Sequence, residues 1–149
     1  MHPLDWTGVE ARDFNVNGIT VHARLSSHGD DPRPVLVLLH GFPQTHVMWR
    51  RVAQALKPHY RLVLPDLRGY GDSTKLVGQD DHAQASKRAM AADLVALMDT
   101  LQVNRFALCG HDRGGRVAHR LALDHAARVK RLCVIDIAPT LDMYARTDM

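Results

Sequence analysis

Long apolar runs are missing from this chain, cysteine is nearly so, and the basic residues are scattered. No stretch is long enough to span a bilayer, and Met1 to Arg12, which carries Asp5 and Glu10, lacks the continuous apolar core of a secretory signal. No membrane partner is therefore expected. Lys and Arg are spread through a sequence of formal charge +3 without forming a stripe, so no nucleic-acid partner is expected either. The only cysteines, Cys109 and Cys133, both sit in short strand-like apolar runs. They are expected to be buried free thiols, which suit a reducing, cytoplasmic location. The ten histidines include no H-E-x-x-H motif and there are no paired cysteine ligands, so no metal is expected. Neither G-x-G-x-x-G nor a Gly-rich loop ending in Gly-Lys-Ser/Thr occurs, which leaves no nucleotide cofactor to expect. Repeats, low-complexity tracts and internal linkers are absent as well.

What remains is ordinary for one globular domain or a large part of one: 149 residues, 46% apolar and 23% charged. Phe14, Val16, Ile19 and Val21 alternate around Asn17-Gly18, which predicts a two-residue hairpin between strands at 13–16 and 19–25. Val35 to Leu39 is a continuous apolar run, as expected of a strand buried on both faces. Met48, Trp49, Val52, Ala53 and Leu56 recur at helical spacing, and Arg61 to Leu64 is strand-like again. Leu94, Leu97, Met98 and Leu101 mark a second helix, with Ser86 as a candidate cap near its start. A strand at Phe106 to Cys109, a helix through Val117, Ala118 and Leu121, and a strand at Leu132 to Ile137 complete the series. Strands and helices alternating through short connections predict an α/β fold built on a mostly parallel sheet with flanking helices. The last strand is expected to lie at an exposed hydrophobic sheet edge.

The chemistry concentrates at Cys109-Gly110-His111-Asp112-Arg113-Gly114-Gly115, a strand running into a sharp turn and then a helix. In a nucleophile elbow the small residues allow a tight turn, the reactive side chain stands at the strand end, and the next backbone N–H faces a developing oxyanion. Asp112 fills that place here. A carboxylate there can displace a leaving group from an sp3 carbon, and water can then cleave the resulting ester. Asp between a strand and a helix is also a common N-cap, and that structural reading stands beside the catalytic one. Upstream, His40-Gly41-Phe42-Pro43 follows the third strand, where such a fold supplies its second oxyanion donor. Arg113 and Arg116 are three apart at a helix start, so they can converge on an anion, and Arg makes the forked contact a carboxylate prefers. A pair of solvated surface arginines is the alternative reading. Ser73, in Gly71-Asp72-Ser73, is not in an elbow and is expected to be structural.

Together, H-G-F-P-Q-T at 40–45, D-L-R-G-Y-G-D-S at 66–73, G-H-D-R-G-G-R at 110–116 and V-I-D-I-A-P-T at 134–140 resemble the haloacetate (fluoroacetate) dehalogenase family of α/β-hydrolases. Arg113 and Arg116 beside the nucleophile are the specific part, because G-H-D-x-G-G also suits soluble epoxide hydrolases. The resemblance implies Asp112 as nucleophile, Asp136 as the acid orienting a catalytic histidine, the Phe42 and Arg113 N–H groups as oxyanion hole, and Arg113 and Arg116 as a clamp on the substrate carboxylate. It implies hydrolytic removal of halide from a small 2-haloacid, a small anionic substrate, a halide product, and room for a homodimer in the full-length parent. It further implies that residues 1–149 are the N-terminal part of a single α/β-hydrolase domain. The cap, with the halide-binding residues, and the C-terminal part, with the histidine, would lie outside, and the chain alone is expected to be a poor enzyme. An epoxide hydrolase and a non-catalytic binding module of the same fold remain open readings.

Overall fold

The apolar alternation of the central strands divides the interior into two layers, one on each face of a single sheet. The computed structural model describes residues 6–75 and 82–145. Residues 1–5, part of the stretch read above as neither signal nor anchor, lie outside the described residues. The elements run β1 Glu10–Val16, β2 Ile19–Leu25, β3 Val35–Leu39, α1 Arg50–Leu56, β4 Arg61–Pro65, α2 Lys87–Thr100, β5 Phe106–His111, α3 Arg113–Asp124, β6 Val129–Ile135 and α4 Thr140–Ala145. The six strands are ordered β1-β2-β4-β3-β5-β6. β1, β2 and β4 pair antiparallel, whereas β4, β3, β5 and β6 pair parallel.

Side chains of a strand alternate between faces with period two. Val35, Val37 and Leu39 of β3, Val63 of β4, and Phe106 and Leu108 of β5 therefore pack with Met90, Leu94, Leu97 and Met98 of α2 and Val117, Ala118 and Leu121 of α3. Leu38, Leu62, Leu64 and Cys109 point the other way, onto Trp49 and Ala53 beside and within α1. β2 has only one apolar face, Ile19, Val21, Ala23 and Leu25. The turn before it carries positive φ at both Asn17 (48°) and Gly18 (75°), the combination a type I′ hairpin requires.

This topology positions the site. β3 connects through α1 to β4 on one side of it, and β5 lies on its other side. The loops leaving the carboxyl ends of β3 and β5 thus diverge, and ligands in open α/β sheets bind in the crevice at such a reversal.

Four expectations need correction. β1 begins at Glu10, because Glu10 to Arg12 pair with Ala23 to Leu25 although their side chains are exposed and carry no apolar signal. The helix expected from Met48 opens as a 3-10 turn at His46–Trp49, capped by the Thr45 hydroxyl, before α1 starts at Arg50. β6 runs Val129–Ile135, pairing from Phe106 onward, and ends where Asp136 adopts φ 54°. Cys133 is exposed, because β6 is the outermost strand of the sheet; Leu132, Val134 and Ile135 are exposed beside it, as expected of a hydrophobic edge. Cys109, paired opposite Cys133, is buried, and burial together with that neighbour pushes its thiol up to about 12.

Candidate active site

Asp112 occupies the turn between β5 and α3 with φ 48° and ψ −115°, a conformation that costs an L residue energy and persists only where its surroundings enforce it. The enforcement is visible. Its N–H donates to the Ile135 carbonyl at 3.0 Å, and its carbonyl accepts from the Arg116 N–H at 3.2 Å. The flanking glycines admit no side chain: a Cβ on Gly110 would stand 2.3 Å from the Gly114 carbonyl oxygen, and one on Gly114 would stand 2.5 Å from the carbonyl oxygens of Leu39 and His40. Although Asp112 is in the N-cap position of α3, its side chain makes no capping hydrogen bond. The Phe42 N–H instead donates to Asp112 Oδ2 at 2.9 Å. In this structure the Asp112 carboxylate is thus turned towards Phe42 and makes no side-chain cap on α3. Partial burial acts to raise the Asp112 carboxyl, but the Phe42 and Arg113 N–H groups and the charges of His111 and Arg116 outweigh it and hold it below the usual carboxylate range.

The loop that aims the Phe42 N–H is tied down by His40, which is fully buried. Its Nδ1–H donates to the Gly41 carbonyl and its Nε2 accepts from the Leu67 N–H, both at 2.9 Å. One donor and one acceptor nitrogen define a neutral ring, in accord with burial, which moves His40 below the ordinary histidine value. The loop after β4 is anchored in turn by Asp66, which accepts from the N–H and Nδ1 of His46 at 2.7 and 2.9 Å and from the Asp72 N–H at 2.9 Å. Ser73 donates to the Asp66 carbonyl and accepts from the His22 N–H, the structural role expected of it. Arg68 of the same loop forms a buried two-point contact with Asp93 of α2, at 2.7 and 2.6 Å.

Phe42, Asp112, Arg113 and Arg116 line one cavity of about 200 Å³. The Arg113 guanidinium lies over the rings of Phe42 (5.5 Å) and Tyr70 (5.7 Å), a placement in which cation–π attraction restrains it. Asp136 is not in this group. It follows β6, the neighbour of β5, but its side chain is 85% exposed, and its Oδ2 lies 3.8 Å from Nε2 of His111. Sequence reasoning missed Lys87, the fifth residue lining the cavity, and Tyr70, the aromatic support of Arg113. Lys87 opens a helix far from the motif, with no local signal. Tyr70 stood inside the D-L-R-G-Y-G-D-S segment, where its aromatic character was the available hint.

Carboxylate, paired backbone donors and converging arginines can together hold a small anion against a nucleophile. Residues 34–148 match the family model described as alpha/beta hydrolase fold. The chain is 50% identical over 141 residues to a fluoroacetate dehalogenase from Burkholderia sp, covering 95% of this chain and 45% of that one. It is 39% identical over 127 residues to a soluble epoxide hydrolase from Corynebacterium sp. strain C12, covering 85% and 41%. Among solved structures, an α/β hydrolase from Nostoc sp PCC 7120 superposes with a TM-score of 0.89 at 46% identity, covering 97% of this chain and 48% of that one. An epoxide hydrolase from Vigna radiata superposes with a TM-score of 0.80 at 33% identity, covering 91% and 41%. The chain thus spans about half the length of the relatives it matches. With the elbow, the sheet order and the family match in agreement, the chain belongs to the α/β-hydrolase fold family and is related to fluoroacetate dehalogenase and the epoxide hydrolases.

Proposed function

We propose that the protein is a hydrolase that removes halide from a small 2-haloacid such as haloacetate, with Asp112 as nucleophile. The observation that carries this reading is the shared cavity of Asp112, Arg113 and Arg116, in which a carboxylate-bearing substrate meets two cationic forks beside an ionised carboxylate. In the first step an Asp112 oxygen attacks the halogen-bearing carbon; the carbon–oxygen bond forms, the carbon–halogen bond breaks, and halide leaves with the electron pair. In the second step water adds to the ester carbonyl, whose oxygen takes its negative charge between the Phe42 and Arg113 N–H groups. Collapse expels glycolate, with its new hydroxyl oxygen coming from Asp112. The base that this reading requires for that water is a histidine, with Asp136, whose side chain is exposed, as the acid that orients it.

Similarity to epoxide hydrolases supports a second reading, since an aspartyl ester also serves epoxide opening. Peptide mass spectrometry separates the two. Incubation with chloroacetate is expected to place one carboxymethyl group on Asp112, absent in Asp112→Asn, and styrene oxide to react far more slowly. Preference for the epoxide would promote the second reading, and no adduct from either reagent would overturn both.

A further inference from the structure

Two helices, α2 and α3, begin at the same cavity, and both begin with cations. Helix N-termini carry partial positive charge and ordinarily favour Asp or Glu in the first turn. Here the first turn of α2 holds Lys87 and no acid, and that of α3 holds Arg113 and Arg116 and no acid. All three line the cavity that contains Asp112. Among the described residues that line it, three cationic side chains and the starts of two helices therefore meet one carboxylate. The arrangement goes against the local preference of both helices, and such departures mark functional positions. α2 does not use Lys87 as its cap, since the Ser86 hydroxyl accepts from the Ala89 N–H at 3.1 Å. Nor does Lys87 form an ion pair or donate a hydrogen bond to another described residue. Burial and the neighbouring Arg113 and Arg116 lower its ammonium from the ordinary lysine value, against the opposing pull of Asp112.

We propose that Lys87 is a third substrate-binding arm of this cavity, acting with Arg113 and Arg116 on the substrate's carboxylate and so selecting anionic over neutral alkylating substrates. This rests on the dehalogenase reading for the identity of the substrate, whereas the anion-binding role rests on the cavity alone. An incoming carboxylate offsets the repulsion that Arg113 and Arg116 exert on Lys87. It does so on the side of the cavity formed by α2, which Arg113 and Arg116, both carried by α3, do not supply.

The test compares wild type, Lys87→Met and Lys87→Arg, each checked for fold by circular dichroism. The readout is the ratio of Asp112 alkylation rates by bromoacetate and by its neutral analogue bromoacetamide, read by mass spectrometry. Lys87→Met is expected to lower that ratio by about two- to fivefold, the effect of losing roughly one partly exposed ion pair. Lys87→Arg should keep most of it. An unchanged ratio in Lys87→Met, or an equal fall in Lys87→Arg, overturns the proposal while leaving the dehalogenase reading intact. If wild type is alkylated by neither reagent, the nucleophile reading fails by itself. Lys87 is then judged by acetate affinity in calorimetry: weaker binding by Lys87→Met supports the third arm, and equal binding overturns it.

Discussion

Substituting alanine for glycine at three positions separates the ways in which the elbow could depend on small residues. A Cβ on Gly110 would lie 2.3 Å from the Gly114 carbonyl oxygen, 2.4 Å from the Gly114 carbonyl carbon and 2.6 Å from the Gly115 nitrogen, where ordinary contact begins at 3.4 Å. All three are backbone atoms of the turn that presents Asp112, so relief requires the elbow to open by about an ångström. Overpacking of this kind costs about 1 to 3 kcal/mol, and a clash with backbone belongs at the upper end. At roughly 2 to 4 °C per kcal/mol for a chain of this size, Gly110→Ala should lower the melting temperature by about 6 to 12 °C. Gly115→Ala, inside α3, meets the Ile137 Cγ2 methyl at 2.5 Å and, less tightly, the Gly110 carbonyl oxygen at 3.1 Å. There the helix preference of Ala, worth about 1 kcal/mol, offsets part of that crowding, and the loss should be clearly smaller than at Gly110. Gly18→Ala meets nothing within 4 Å but must adopt φ 75°, so it should cost about 1 kcal/mol from conformation alone. Thermal unfolding followed by circular dichroism gives the order directly. If Gly110→Ala is no worse than Gly18→Ala, the close approach of backbone across the elbow is not what holds Asp112, and the explanation of its strained geometry is wrong.

Asp93→Ala should destabilise the protein by about 3 to 5 kcal/mol in urea unfolding, because it strands the buried Arg68 guanidinium; a loss below about 1 kcal/mol would show that the pair is not desolvated. Because its donors hold the Asp112 carboxyl below the usual range, alkylation by chloroacetate should stay on its plateau as pH falls to the ordinary aspartate value near 4 and decline only below it. A half-maximum at or above that value would contradict the hydrogen bonding described. Arg116→Ala should cut the preference for chloroacetate over neutral 1-chlorobutane by at least about tenfold, since losing one arm of a desolvated charge pair typically costs about 2 to 5 kcal/mol. Arg116→Lys should recover only part, and equal weakening of both substrate classes would refute the clamp.

What the sequence determined by itself was everything governed by near neighbours along the chain. The Asn17-Gly18 turn, the two-sided apolar runs of β3 and β5, the Ser86 cap and the elbow around Asp112 each depend on residues a few positions apart, so period and turn chemistry reveal them. Polar strand residues escaped the same reading: Glu10 to Arg12 are held in β1 by pairing with β2, which leaves no apolar trace. Cys133 escaped for a different reason, since an apolar run shows that a strand can be buried, and the sheet order decides whether it is. The surroundings of Asp112 were decided only by tertiary structure. Phe42 donates to it across 70 residues, Arg68 reaches Asp93 across 25, and Lys87 and Tyr70 arrive from separate elements. Such meetings follow from the reversal of strand order between β3 and β5 and from the crossing of helices, and a linear pattern carries no record of either.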